Sequence, residues 1–433
     1  MIVFPELYQA NALYLPIADN SVDCVVTSPP YWGLRDYGTA TWVGGDEECE
    51  HMGNVHSTQT GFNKRWFGKE FATDKQGGLK EFYKNVCGKC GAVRKDNQLG
   101  LEETPEEYCN NMTNVFREIW RVLKPTGTVW LNLGDSYAGN NSRASNNGRA
   151  GYGNPREGVF PKYGEGLKPK DLVGIPWRVA FALQTDGWYL RSDIIWSKPN
   201  PMPESVQDRP TKAHEYIFLL TKSKNYYYDA DAIGEPAKDW GTRDRTNGKY
   251  HNEGTGLQPH TGLEKSYATK NKRSVWTVTT KPYADAHFAT FPEDLIEPCI
   301  LAGTSEKGAC AECGKPWERI VEREVVYDHV TTQAGKSKQG PYASQTGSGK
   351  DTHDIRHGVY SQHRFKGWQP TCKCNAEIVP STVLDPFVGS GTAMVVAQKH
   401  RRKGIGIDLN KEYLDLAVKR IKNSKYNNQF VLF

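Results

Sequence analysis

Ser381-Thr382-Val383-Leu384-Asp385-Pro386-Phe387-Val388-Gly389-Ser390-Gly391-Thr392 is the stretch that decides the fold class of this 433-residue chain. An apolar, β-branched run ends in an acid, and two glycines then let the backbone approach a ligand where a Cβ would collide. Thr392 to Lys399 reads as a helix whose first turn offers unpaired N–H groups, and Gly404 to Asp408 as the next strand. Asp385 closes the first strand, where ligands of open α/β sheets bind. Asp408 closes the second, 19 residues beyond Gly389, where an acid grips ribose hydroxyls. Strand, turn, helix, strand and acid in this order predict a nucleoside-type cofactor. The turn opens on Asp385-Pro386-Phe387 and lacks a third glycine, so there is no pyrophosphate to cradle and S-adenosylmethionine is favoured over NAD.

Near the other end of the chain, Thr27-Ser28-Pro29-Pro30-Tyr31 places a rigid backbone and an aromatic ring at the end of a strand, Asp23 to Ser28. Alone it is an ordinary proline turn. Paired with the glycine turn, and preceding it, it resembles the beta-class amino-methylating DNA methyltransferases, in which the catalytic half comes before the cofactor half. Asn114 to Thr128, Asp193 to Asn200, Arg209 to Tyr216 and His287 to Leu295 are similar to further core segments of that family. The resemblance covers most of the chain outside its inserts. It implies a Rossmann-like α/β methyltransferase with a circularly permuted, mixed seven-stranded sheet and helices on both faces.

The chemistry the resemblance implies is direct transfer. An exocyclic amino nitrogen is a poor nucleophile because its lone pair is delocalised into the ring. Ser28 would accept one amino proton and the carbonyl of Pro29 the other. Pro29 and Pro30 hold that carbonyl still without offering competing donors. Tyr31, helped by Trp32, would stack on a base flipped out of duplex DNA. No catalytic cysteine is required; catalysis is orientation plus electrostatics. By the same resemblance Asp385 faces the methionine end of the cofactor. Phe387, Gly389, Gly391, Thr392 and Asp408 complete the turn, and Phe291 and Pro292 sit on a segment that closes over it. Serine before Pro-Pro-Tyr accompanies N4-cytosine methylation, so cytosine is expected, with N6-adenine as the alternative. His214 and Glu215 read as structural residues at a strand start.

Other elements follow from local patterns. Ala12 to Leu15 reads as a short strand. Thr104-Pro105-Glu106-Glu107 opens a helix with a capping threonine, proline at the first position and acids near the positive end. Lys124-Pro125-Thr126-Gly127 stops it, and Thr128 to Leu133 is a strand. Leu172 to Gln184 and Pro292 to Leu301 read as helices, Tyr189 to Trp196 and Glu215 to Thr221 as strands. Asn410 caps a last helix.

Ten cysteines fall largely at metal-ligand spacings. Cys87-Gly88-Lys89-Cys90 is a knuckle whose partners are Cys49 and His51, with His56 or Cys109 as alternatives to His51. Cys310-Ala311-Glu312-Cys313 is a second knuckle, completed by Cys372 and Cys374. Both sets suit tetrahedral structural zinc, two ions in all, each clamping a polar insert too poor in apolar residues to fold alone. Cys24 and Cys299 read as buried apolar side chains.

The apolar fraction is 37%, and 42 glycines with 24 prolines predict much loop. The net charge of +5 points weakly to a polyanionic partner. Residues 138–171 carry six Lys/Arg against three Asp/Glu, and residues 222–281 eleven against seven. Arg143, Arg149, Arg156, Arg243, Arg245, Lys270, Lys272 and Arg273 are candidate DNA contacts there. No run approaches a membrane span, and the N-terminus lacks a secretory pattern, so a cytoplasmic setting in a bacterial or phage-infected cell is expected. The expected organisation is a catalytic half at 1–35 and 101–221, zinc-clamped inserts at 36–100 and 305–378, a target-recognition segment at 222–281, and a cofactor half at 282–304 and 379–433. The resemblance implies double-stranded DNA as partner and leaves room for a cognate restriction endonuclease and a homodimer. Methylation of a protein amide, or DNA binding by an inactive relative, are the rival readings.

Overall fold

The structure, a computed structural model, describes residues 4–33, 41–46, 48–49, 54–57, 79–82, 86–87, 89–95, 98–138, 167–236, 265–267, 269–281, 290–329, 357–424 and 426. The chain divides into two compact units, one of Met1–Tyr227, Ser274–Glu306 and Pro380–Phe433, the other of Tyr228–Arg273 and Lys307–Val379.

The first unit is built on one eight-stranded sheet. Its strands are β1 (Glu6–Gln9), β2 (Val22–Thr27), β3 (Leu123–Leu133), β4 (Tyr189–Ser197), β5 (His214–Thr221), β6 (Val275–Thr277), β7 (Thr382–Asp385) and β8 (Lys403–Asp408). The spatial order is β1-β8-β7-β2-β3-β5-β4-β6. From β1 to β3 all neighbours are parallel, β5 is antiparallel to both of its neighbours, and β6 runs parallel to β4. Every residue of β2 and β7 is buried, as parallel strands covered on both faces require.

Helices α1 (Pro105–Val122), α2 (Ile175–Thr185), α3 (Glu293–Gly303), α4 (Thr392–Lys399) and α5 (Lys411–Asn423) cover the sheet. Thr104 caps α1 by accepting from the Glu107 N–H at 3.1 Å, and Pro105 opens it. Tyr108, Met112, Val115, Phe116, Ile119 and Val122 form its buried stripe. Val129, Leu131 and Leu133 of β3 join that stripe and α2 in one apolar cluster. The intervening Thr128 and Trp130 face the other way, where Gly303 of α3 lies against them. The alternation along β3 thus places helices on both faces.

A buried ion pair ties the strand starts together. Asp23 Oδ1 meets Lys124 Nζ at 2.7 Å, and its Oδ2 accepts from the Thr382 N–H at 2.8 Å, linking β2, β3 and β7. Burial pushes the Asp23 carboxyl up, against the lowering by Lys124.

Three expectations change. The first strand is Glu6–Gln9, not Ala12 to Leu15, which forms a turn with Tyr14 78% exposed. The sheet has eight strands rather than seven, because Val275–Thr277 pairs with β4. The segment at 222–281 accordingly does not stand alone: both of its ends belong to the sheet unit. Its middle pairs with the second cysteine insert, Lys265–Tyr267 running parallel to Val359–Ser361. Arg319 and Asp229 also join the two, at 3.1 Å.

In that second unit a long antiparallel hairpin, Trp317–His329 against His357–Pro370, rises from the cysteine cluster. The region 36–100 holds four short strands where irregular chain was expected: Thr41–Val43 pairs with Val93–Lys95, and Asn54–Ser57 with Leu79–Phe82. No helix among the described residues is long and apolar enough to cross a membrane.

Candidate active site

β2 and β7 are adjacent parallel strands, so the proline turn and the glycine turn leave the same sheet edge side by side. Their contact is direct. Thr27 Oγ1 donates to Asp385 Oδ1 at 2.7 Å, and the Phe387 N–H donates to the same oxygen at 3.1 Å. The Asp385 carboxyl is pushed up to about 7, chiefly by burial; Thr27 and the Phe387 N–H pull it down, and Asp408 nearby pushes it up.

Asp408 ends β8 and is also pushed up by burial. Its Oδ2 accepts from the Gly389 N–H at 3.0 Å and its Oδ1 from the Asn410 N–H at 2.9 Å. The carboxylate is therefore pre-oriented at the turn with lone pairs left for hydroxyls. Gly391 adopts φ +81°, and a Cβ there would approach the Ala417 Cβ to 3.0 Å. Glycine is demanded there by the left-handed backbone and by helix packing against α5. Thr392 is buried, and its hydroxyl accepts from Arg420 at 2.7 Å, as the Ser390 hydroxyl does at 3.0 Å. The Thr392 side chain thus holds the turn. Arg420 also reaches Glu293 at 3.1 Å, which brings the start of α3, with Phe291 and Pro292 just before it, to the turn.

On the catalytic side, the Ser28 hydroxyl donates to Tyr31 Oη at 3.1 Å. Tyr31 Oη in turn lies 2.8 Å from Glu215 Oε2 and 3.0 Å from Asn132 Oδ1. Lys198 pairs with the other oxygen of Glu215. The Tyr31 ring lies against Gly134, where a Cβ would come within 2.6 Å of the ring. Tyr31, Lys198, Lys212, Glu215, Pro201 and Met202 are among the residues lining a cleft of about 250 Å³. Burial pulls the Lys212 ammonium down. Asp135, also on the cleft, accepts from the Gly174 and Ile175 N–H groups at 2.9 and 3.0 Å, so it caps α2.

Two sequence expectations need correction here. Trp32 is buried and donates its ring N–H to the Glu102 carbonyl at 3.1 Å, so it takes no part in stacking on a base. Glu215 does start a strand, but it also holds the Tyr31 hydroxyl, and His214 lines the same cleft. Asn132, Gly134 and Lys198 carried no local signal: Asn132 and Gly134 reach Tyr31 through the β2–β3 pairing and Lys198 reaches Glu215 through the β4–β5 pairing, contacts between distant segments.

The cysteines behave as two groups. Cys310, Cys313, Cys372 and Cys374 bring all four sulfurs within 4.8 Å of one another, and so do Cys49, Cys87 and Cys90. Cys49 Sγ and Cys87 Sγ are 3.9 Å apart. Ligands of a tetrahedral zinc with bonds of about 2.3 Å lie about 3.8 Å apart. Backbone N–H groups of Cys313 and Glu312 point at Cys310, and those of Asp46 and Ala92 at Cys90, holding both thiols below their ordinary range. Cys109 lies on α1 in neither group, and Cys24 and Cys299 are buried as expected. His51, Arg143, Arg149, Arg156, Arg243 and Arg245 lie outside the described residues. Lys270 and Arg273 both meet Glu235, at 3.7 and 2.9 Å, and Lys272 lies between them in sequence.

A family model described as DNA methylase, of the N6/N4 type, matches residues 22–312 and 376–419. The chain is 35% identical over 430 residues to the Type II methyltransferase M.Cfr9I of Citrobacter freundii, covering 97% of this chain and 89% of that protein. It is 34% identical over 404 residues to the Type II methyltransferase M.SmaI of Serratia marcescens, covering 92% and 84%. Among solved structures, the PvuII DNA methyltransferase (cytosine-N4-specific) aligns over 98% of this chain and 90% of its own at 13% identity, with a TM-score of 0.44.

Proposed function

Given that the chain belongs to the N6/N4 DNA methylase family, we propose that it methylates the N4 amino group of a cytosine flipped out of duplex DNA, using S-adenosylmethionine. The observation that carries this reading is the Ser28 hydroxyl. Its proton is given to Tyr31 Oη, so its lone pairs remain to accept an amino proton, beside the Thr27–Asp385 contact.

The cofactor turn fits the donor. Asp385 and Asp408 are buried carboxyls raised by burial, a pair whose ionised forms are stabilised by a cation. Asp385 would face the cationic end and Asp408 the ribose hydroxyls, with Phe387 and Gly389 completing the turn and Phe291 and Pro292 at its side. When bound, the cofactor supplies an electrophilic methyl group. Ser28 and the Pro29 carbonyl orient the amino group, drawing its lone pair out of conjugation. Tyr31 offers a ring for stacking and, through its hydroxyl, a connection from Ser28 to Glu215. The lone pair of the amino nitrogen would take the methyl group from the bound cofactor's sulfonium sulfur, which keeps the S–C electron pair, and that nitrogen then gives up one N–H proton. This proton passes to Ser28, the Ser28 proton to Tyr31, and the Tyr31 proton to the Glu215 carboxylate, which opens on the cleft. Lys198 pairs with the Glu215 oxygen that Tyr31 does not touch and so fixes the carboxylate's orientation.

The two cysteine groups are read as structural zinc centres, Cys310, Cys313, Cys372 and Cys374 forming a closed Cys₄ set and Cys49, Cys87 and Cys90 three ligands of the other, with His51 its fourth. Cysteines grouped as metal ligands at both fit a reducing cytoplasm. Lys270, Lys272 and Arg273, with Arg143, Arg149, Arg156, Arg243 and Arg245, are read as the DNA-facing cations of the recognition segment. The relatives named Type II methyltransferases favour a restriction endonuclease as companion. Mass spectrometry of nucleosides from DNA exposed to the protein tests the proposal. N4-methylcytosine is expected; N6-methyladenine in its place overturns the choice of base, and no methylated nucleoside overturns the activity.

A further inference from the structure

The segment Asn200-Pro201-Met202-Pro203-Glu204 borders the cleft, and Met202 is 85% exposed, more than any other large apolar side chain among the described residues. A single exposed methionine is ordinary on a protein surface. This one is held out by a braced loop. Asn200 Nδ2 donates to Thr280 Oγ1 at 2.9 Å and Asn200 Oδ1 accepts from the Thr280 N–H at 3.1 Å. On the far side Glu204 Oε2 accepts from Arg209 at 2.6 Å and from the Lys212 N–H at 3.2 Å. The Arg209 guanidinium rests on the Tyr137 ring, 3.7 Å from its centroid. Pro201 and Pro203 fix φ on either side of the methionine and present no N–H to solvent. The tip is thus rigid, apolar and without backbone donors at either proline, beside a cleft that also carries Lys198 and Lys212.

We propose that Met202 is a wedge that enters the base stack when the target base leaves it. The inference rests on the reading that the cleft receives an extruded base. Extrusion opens a gap between neighbouring base pairs, and an apolar side chain inserted there replaces the lost stacking and slows the return of the base. An unbranched, polarizable thioether adapts to such a gap, and the two prolines remove most of the ordering cost of placing it.

The test uses the full chain and a duplex carrying a site mapped from the wild-type protein's own methylation of unmethylated plasmid DNA. The duplex is made with the target base either paired or opposite an abasic position, where extrusion leaves no pairing to break. Met202→Ala is expected to slow single-turnover methyl transfer to the paired duplex by about tenfold or more, and by less than about twofold on the abasic duplex. Met202→Leu retains most of the wild-type rate on both, and Met202→Gln, of similar length but polar, follows Met202→Ala. Equal rates for Met202→Ala and wild type on the paired duplex overturn the wedge. So does an equal deficit on both duplexes, in either the Ala or the Gln variant. A wild-type chain that methylates no DNA overturns the reading beneath it instead.

Discussion

Thr27 Oγ1 donates to Asp385 Oδ1 across 2.7 Å, joining residues 358 positions apart at the ends of adjacent parallel strands. This one bond couples the loop assigned to the target base with the loop assigned to the methyl donor. It also competes with burial over the Asp385 proton, whose pKa stands at about 7 against an ordinary value of 3.8.

Cofactor binding should therefore depend on pH. Below about 7 Asp385 is protonated and offers no charge to a cationic donor, so affinity rises as pH climbs from about 6 to about 8 and then levels. Calorimetric titration across that range checks it. Asp385→Asn binds at least about tenfold more weakly at high pH and loses the slope. Thr27→Val removes a bond that lowers the pKa, so its midpoint moves upward. A flat wild-type profile contradicts the assignment.

The same proton governs the ligand-free protein. Its folded pKa is raised, so between the unfolded value and about 7 the folded state binds the proton more tightly, and stability falls as pH rises through that window. Denaturant midpoints measured without cofactor should drop over this range in wild type and drop less in Asp385→Asn.

Glu215 should matter to transfer and not to cofactor binding. Glu215→Gln keeps the shape of the Tyr31 contact but cannot take a proton, so the single-turnover rate falls by about a hundredfold. Cofactor affinity changes little, because the Tyr31 cleft and the glycine turn draw on different residues. Calorimetry and rapid-quench transfer, run on the same preparation, separate the two. Loss of both together argues for a purely structural Glu215.

Two glycines should fail differently. Gly391→Ala meets both a left-handed backbone and Ala417, and costs about 2 kcal/mol of stability along with cofactor affinity. Gly134→Ala puts a methyl group into the Tyr31 ring, so it costs methyl transfer while cofactor affinity stays within about twofold. Thermal melts with and without cofactor distinguish them.

Elemental analysis should find about two zinc ions per chain. Cys374→Ser lowers that by one and abolishes DNA binding while cofactor binding persists, since Cys374 belongs to the second unit and the glycine turn to the first. Zinc content unchanged in that variant, or none in wild type, removes the metal reading.

What could be read along the chain was whatever has a local physical cause. The helix of Thr104 and Pro105 carries its own cap and amphipathic stripe, and the glycine turn with Asp385 and Asp408 carries its strand-turn-helix grammar. The four cysteines at 310, 313, 372 and 374 advertised a cluster by spacing alone. The misread first strand shows the limit. Glu6–Gln9 is a partly exposed edge strand without an apolar run, and it is a strand only because β8 lies beside it.

The proline corner and the glycine turn, each with its own chemistry, were legible along the chain because proline and glycine act on the backbone where they stand. That the Tyr31 hydroxyl meets Glu215 and Asn132, and that the middle of the basic segment shares a unit with the Cys₄ hairpin, comes from the assembled fold. Those partners come together by strand pairing between distant segments, and pairing is a property of the assembled sheet that no single stretch of chain contains.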